Sequence, residues 1–101
     1  MFNSLETLGN LMSLMRGERI GYDATKMLFR FTMLNGVDII NCEISSAALD
    51  DLAGTRGAGE FGDRNAQFDA YRAKIEELAS KQFEVRPSKL ISVFAKHLRK
   101  P

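Results

Sequence analysis

The chain has 101 residues, 45% of them hydrophobic, with 14 Lys and Arg against 13 Asp and Glu, a net charge of +1. That length and composition suit one core, so a single domain over residues 1–101 is expected, and the near-neutral charge selects no class of partner. One cysteine, Cys42, and one histidine, His97, exclude an intramolecular disulfide and fall short of a structural zinc set, so no metal or cofactor is expected.

In chain order, Ser4 can cap a helix over residues 4–16, in which Leu5, Leu8, Leu11, Met12 and Met15 follow three-to-four spacing before Gly17. This segment lacks the basic start and unbroken apolar core of a signal peptide, and no apolar run is long enough to span a membrane. A cytoplasmic, reducing location is the resulting expectation. Residues 19–22 suit a short strand before a turn at Asp23 and Ala24.

Residues 26–33 carry the clearest pattern. Met27, Phe29, Phe31 and Met33 alternate with Leu28, Arg30 and Thr32, which is the period of a half-buried strand. Asn35 and Gly36 supply a hairpin turn, and Ile40, Cys42 and Ile44 alternate with Asn41 and Glu43 on the return, giving a hairpin over residues 26–45. Cys42 reads as a small buried hydrophobe. Ser45 or Ser46 then caps a short helix that buries Ala48, Leu49 and Leu52 and stops at Gly54. After a glycine-rich connector, Asp63 caps a long helix over residues 63–82 with the stripe Phe68, Tyr71, Ile75, Leu78 and Ala79. Glu77 and Lys81 are an i,i+4 pair on its wet side.

The tail reads two ways. Pro87 and Ser88 can start a helix with Leu90, Ile91, Phe94 and Leu98 on one side, but residues 90–94 are equally a β-prone run. Charge is also polarised along the chain. Asp38, Glu43, Asp50, Asp51, Glu60 and Asp63 outweigh Arg56 in the middle, and Lys81, Arg86, Lys89, Lys96, Arg99 and Lys100 outweigh Glu84 toward the end.

Tyr22 and Asp23 before a strand, Phe31, Gly36, Cys42, Ile44 and Ser45, then Ala48 and Leu49, and finally Phe68, Arg72, Ile75, Glu76 and Ala79 give the chain an ordered pattern. In that order and spacing it resembles a bacterial family known only as domain of unknown function 1488. The resemblance implies a sheet packed by helices, a terminal strand near residues 90–94 and a family core over residues 18–94. Residues 4–16 then form an N-terminal extension and residues 95–101 a basic tail. It implies no activity.

Constellations with chemical potential are weak. Gly57, Gly59 and Gly62 spell a phosphate-cradling spacing, but this loop joins two helices rather than a strand and a helix, and Glu60 lies inside it. His97 belongs to a terminal basic tail, where a general base is poorly held. Asp50 with Asp51, and Glu76 with Glu77, point about 100° apart on a helix and do not converge. Arg72 borders the apolar stripe and is a candidate structural clamp or anion contact. Arg86, Lys89, Lys96, Arg99 and Lys100 are candidate phosphate contacts, without a recognised nucleic-acid-binding motif.

The sequence therefore predicts an α+β fold, a small antiparallel sheet of three to four strands with the long helix on one face and an N-terminal helix added. Its expected role is a non-enzymatic interaction or accessory module that self-associates as a homodimer or higher oligomer. Leu8, Leu11, Met12 and Met15 form the candidate contact. Nucleic-acid binding by the tail and catalysis at an unrecognised site are the alternatives.

Overall fold

The computed structural model of the protein describes residues 14–54 and 63–98. Among these, the order is β1 (Met15–Asp23), β2 (Leu28–Asn35), β3 (Asp38–Ser45), α1 (Ser46–Ala53), α2 (Arg64–Ala70), α3 (Arg72–Val85) and β4 (Leu90–Val93), with a 3-10 turn at Ala95–Leu98. The fold is α+β. The strands form one sheet in the order β1-β2-β3-β4.

The central hairpin follows from its alternation. Phe29, Phe31 and Met33 of β2 and Ile40, Cys42 and Ile44 of β3 are all buried on one face, held in register by pairs from Leu28↔Ser45 to Asn35↔Asp38. The two residues between the strands are Gly36 and Val37, and only Gly36 has positive φ, at 63°. A glycine first and an ordinary residue second is the type II′ solution, which matches the strand twist. The hairpin begins later than the expected residue 26. Met27 adopts φ 58° and is exposed, because Asp23 closes the preceding turn by accepting from the amides of Thr25 at 3.0 Å and Lys26 at 3.1 Å.

The expectation of a purely antiparallel sheet is corrected at its last strand. β1, β2 and β3 are antiparallel, but β4 runs parallel to β3, from Asn41↔Leu90 to Ile44↔Val93. The chain leaves the end of β3, passes through three helices and re-enters beside Asn41, midway along the strand it left, and such a crossover yields a parallel neighbour. Of residues 90–94, the stretch Leu90–Val93 is thus strand and Phe94 lies just beyond it.

The N-terminal helix is corrected at its end. Residues 4–13 lie outside the described residues, whereas Met15 and Arg16 open β1 and pair with Leu34 and Met33. Leu14 is in the core and its amide donates to Ser80 Oγ at 3.2 Å. Ladder pairing and core contact thus override a helical spacing that continues through these positions.

The long helix is also corrected. Asp63 caps as expected, its Oδ1 accepting from the Ala66 amide at 2.7 Å, but Tyr71 (φ −115°, ψ 17°) separates α2 from α3, which continues to Val85. Without glycine or proline, the local sequence carries no signal for this break. The short helix α1 agrees with expectation: Ser45 Oγ accepts from the Ala48 amide and Gly54 closes it at φ 80°.

Ala48 and Leu49 of α1, Phe68 of α2, and Ile75, Leu78 and Ala79 of α3 form one cluster with the inward residues of β2, β3 and β4. All three helices therefore lie on one face of the sheet. Phe68 is the centre, stacked on Phe29 with centroids 4.4 Å apart and tilted against Phe31 at 5.1 Å. A Phe68→Ala substitution is expected to cost about 3–5 kcal/mol, measurable as a lowered urea midpoint with little change in slope. Val85→Ala, at an exposed position, should cost less than about 0.5 kcal/mol.

Candidate functional site

Three charged residues of the helices, Asp69, Arg72 and Glu76, hold β1. Arg16 lies opposite Met33, on the core side of its strand, and forks onto Glu76 of α3 through Nε at 2.7 Å and Nη2 at 2.9 Å. Arg72 donates to the same carboxylate at 3.1 Å and to the Gly17 carbonyl at 3.2 Å, with its guanidinium 5.5 Å from the Phe68 ring centroid. Arg19 pairs with Asp69 of α2. Gly17 is required where it stands, since a Cβ there would meet the Thr32 carbonyl oxygen at 2.5 Å.

A second network joins α1 to α2. Gln67 is fully buried; its amide donates to the Leu49 carbonyl and to Asp50 Oδ1, both at 3.2 Å. Its oxygen accepts from Arg64 at 2.7 Å, and Arg64 also bridges to Asp50 at 2.7 Å. Arg64 in turn lies over the Tyr22 ring at 5.3 Å. Sequence reading missed this cluster because its α1 and α2 halves lie 14 to 18 residues apart; the one advance signal is a glutamine on the inward side of a helix.

The groups with nucleophilic or acid–base potential have structural surroundings. Cys42 is buried, donates to the Ile40 carbonyl at 3.6 Å, and burial pushes its thiol up to about 12. His97 Nδ1 accepts from the Phe94 amide at 2.9 Å, and desolvation, helped by Lys96, lowers its pKa. Glu77 pairs with Lys74 and Lys81.

Of the phosphate-contact candidates, Arg86 follows α3, Lys89 precedes β4 and Lys96 is in the 3-10 turn. Arg99, Lys100, the Gly57, Gly59 and Gly62 loop, and Leu8, Leu11 and Met12 lie outside the described residues. Among the described residues no helix is long and apolar enough to cross a membrane.

The face of the sheet away from the helices has a different character. Met15 lies opposite Leu34, and Ile20 borders a small depression with Arg30, Asn41 and Leu90. Met15, Ile20, Ile39 and Leu90 are 67%, 59%, 58% and 53% exposed, while Ile40 and Ile91, the inward neighbours of Ile39 and Leu90, are buried. A wider depression of about 400 Å³ lies beside Gly17, Thr32, Leu34 and Ile39. Charge on this face is mixed: Arg30 approaches Asp23 at 3.5 Å and Glu43 at 3.9 Å, and Ser92 donates to Glu43 at 2.7 Å. Ile39 was legible as an outward residue, because Ile40, Cys42 and Ile44 point inward; Ile20 was not, because β1 has register shifts on both sides of Arg19.

Two measurements follow from Cys42 and His97. Native Cys42 should resist a thiol reagent at pH 8 and react at the free-thiol rate once the chain is unfolded, as timed by a chromogenic disulfide. For His97, the neutral form that accepts from Phe94 is favoured in the fold, so the unfolded chain binds this proton more readily. Its stabilising contribution is full above the ordinary value of 6.5 and is lost as pH falls through the lowered folded value. An NMR titration of the imidazole should give a midpoint below 6.5, and His97→Gln should flatten stability across that window.

Comparison with known proteins matches residues 17–93 to the family model described as Protein of unknown function (DUF1488). No curated protein and no solved structure matches the chain. The matched stretch holds every strand's pairing from Gly17 to Val93 and all three helices, and on it the chain belongs to the DUF1488 family.

Proposed function

We propose that the protein is a non-enzymatic interaction module of the bacterial cytoplasm that self-associates. The observation carrying this reading is the sheet face that no helix among the described residues covers, where four large apolar side chains are exposed on the same face as a charged pair. Exposed large apolar side chains grouped on one face are costly to leave wet and are characteristic of contact sites. Further support comes from the occupations of the titratable groups: Cys42 is a core residue, His97 ties a turn, and Glu76 anchors β1. Their surroundings serve the fold rather than a reacting group. A single thiol, buried and unpaired, suits a reducing compartment.

Within this reading the contact includes the stripe of Leu8, Leu11, Met12 and Met15, of which Met15 belongs to the exposed face. Sedimentation equilibrium of the full chain should give a mass above that of one copy. Replacing Leu8 and Leu11 together by Asp should yield a folded monomer with unchanged far-UV circular dichroism. An unchanged oligomer mass would remove the stripe from the contact, and a wild-type monomer across the concentration range would overturn the reading.

A further inference from the structure

We infer that His97 is an acid-sensitive clasp beyond the end of β4: its neutral imidazole closes the turn that folds Leu98 back onto the core, and protonation at Nδ1 opens residues 94–98 while the sheet and helices stay assembled. The clasp stands independently of self-association.

It is built from both ends of one turn. The His97 backbone N–H donates to the Phe94 carbonyl at 2.9 Å, and the Phe94 N–H donates to His97 Nδ1, also at 2.9 Å. The two residues answer each other's polar groups in the manner of a capping box, where the side chain at the third helical position reaches back to the N–H of the cap residue. Phe94 is the cap residue here, and Ala95, Lys96 and His97 are the first three of the 3-10 turn. The Phe94 ring lies against the imidazole with centroids 5.9 Å apart. Glutamate or glutamine is the usual occupant of that third position; a histidine makes the closure titratable in a milder pH range.

The direction of the response follows from the nitrogen lone pair. An imidazole nitrogen accepts only while it carries no proton, so the closed turn selects the neutral ring with its hydrogen on Nε2. Protonation converts the acceptor into a donor and sets two N–H groups against each other. Burial of the ring and the positive charge of Lys96 both oppose protonation of the closed turn, so acid favours the open one. The other charges near the turn belong to α1, which packs against it and carries Asp50 and Asp51. Asp50 is held by Arg64 and Gln67 of α2, and Asp51 is exposed. β4 itself has no ionisable side chain.

The opening is confined by what holds the neighbouring strand. Ile91 and Val93 are buried and paired with β3, and neither contact uses the Phe94 N–H. Within the turn no residue is fully buried, and Leu98 is the member that packs on the rim of the core. Segments with few buried contacts open at the lowest cost. Losing the imidazole bond therefore releases the turn and takes Leu98 from the core without taking β4 from the sheet.

The test follows the full chain by NMR from about pH 8 to about pH 5, where histidine titrates. At the upper end the imidazole nitrogen shifts should show the ring protonated on Nε2. On acidification, Phe94 amide exchange corrected for the intrinsic rate should report an opening constant that rises by up to about tenfold per pH unit below 6.5. Leu98 methyl signals should move with the imidazole while those of Ile44 and Ile75 stay fixed. His97→Gln places an amide oxygen where Nδ1 accepts and should keep the turn closed across the range, whereas His97→Ala should leave it open throughout. Phe94 exchange and Leu98 signals that hold constant through the imidazole titration would overturn the inference. So would a neutral ring protonated on Nδ1, an equal acid response in His97→Gln, a closed turn in His97→Ala, or a response shared by Ile44 and Ile75.

Discussion

The arrangement depends on Phe68. Its ring stacks on Phe29 and leans on Phe31, so one side chain from a seven-residue helix fixes α2 against the middle of the hairpin. A helix that short has little stability of its own. Once it is seated, Gln67 beside it is forced inside and must find partners, which it does at the α1 carbonyl of Leu49 and at Asp50. Ile75, Leu78 and Ala79 extend the same contact along α3. The helical layer is consequently organised from one aromatic contact outward, and among the described residues it lies on one face of the sheet alone.

β1 is held by a different kind of interaction. It is an edge strand with two register shifts and an outward-leaning population of side chains, and few of its residues reach the core. Arg16, Arg19 and the Gly17 carbonyl instead tie it to Glu76, Asp69 and Arg72. Exposed ion pairs are individually weak, but here two cations share one partly shielded carboxylate, with the Arg16 fork bidentate. The same strand bends at its bulges in a way that discourages further edge pairing. Its charged side faces the helices and its apolar side faces out, the reverse of the arrangement in β2 and β3.

That reversal explains what the sequence could and could not disclose. In β2 and β3 a strict alternation of apolar and polar residues maps directly onto inside and outside, and the caps at Ser45 and Asp63 rest on contacts within three residues. The four-residue β4 was legible only as one of two readings, and its parallel direction depends on the path of the whole crossover. β1 was hidden because bulges break its period, and because Leu8, Leu11, Met12 and Met15 carry a helical spacing up to its first residue. The break at Tyr71 has no local cause in the residue types around it. On the outward face of the sheet, Ile39 could be placed from pattern, while Met15, Ile20 and Leu90 join it only through the pairing of the strands.

The parallel pairing of β3 with β4 also sets an order of events during folding. β1, β2 and β3 are joined by turns of a few residues, whereas Ile44 and Val93 meet only after about half the chain has been looped back. The entropy of closing a loop grows with its length, and non-local pairings consolidate late. The meander is therefore the scaffold on which the crossover assembles, and the outer margin of β3 stays unpaired until the last strand arrives. The buried Ile91 and Val93 then close the layer, which makes the four-residue strand near the end of the chain the latch of the fold and not an appendage to it.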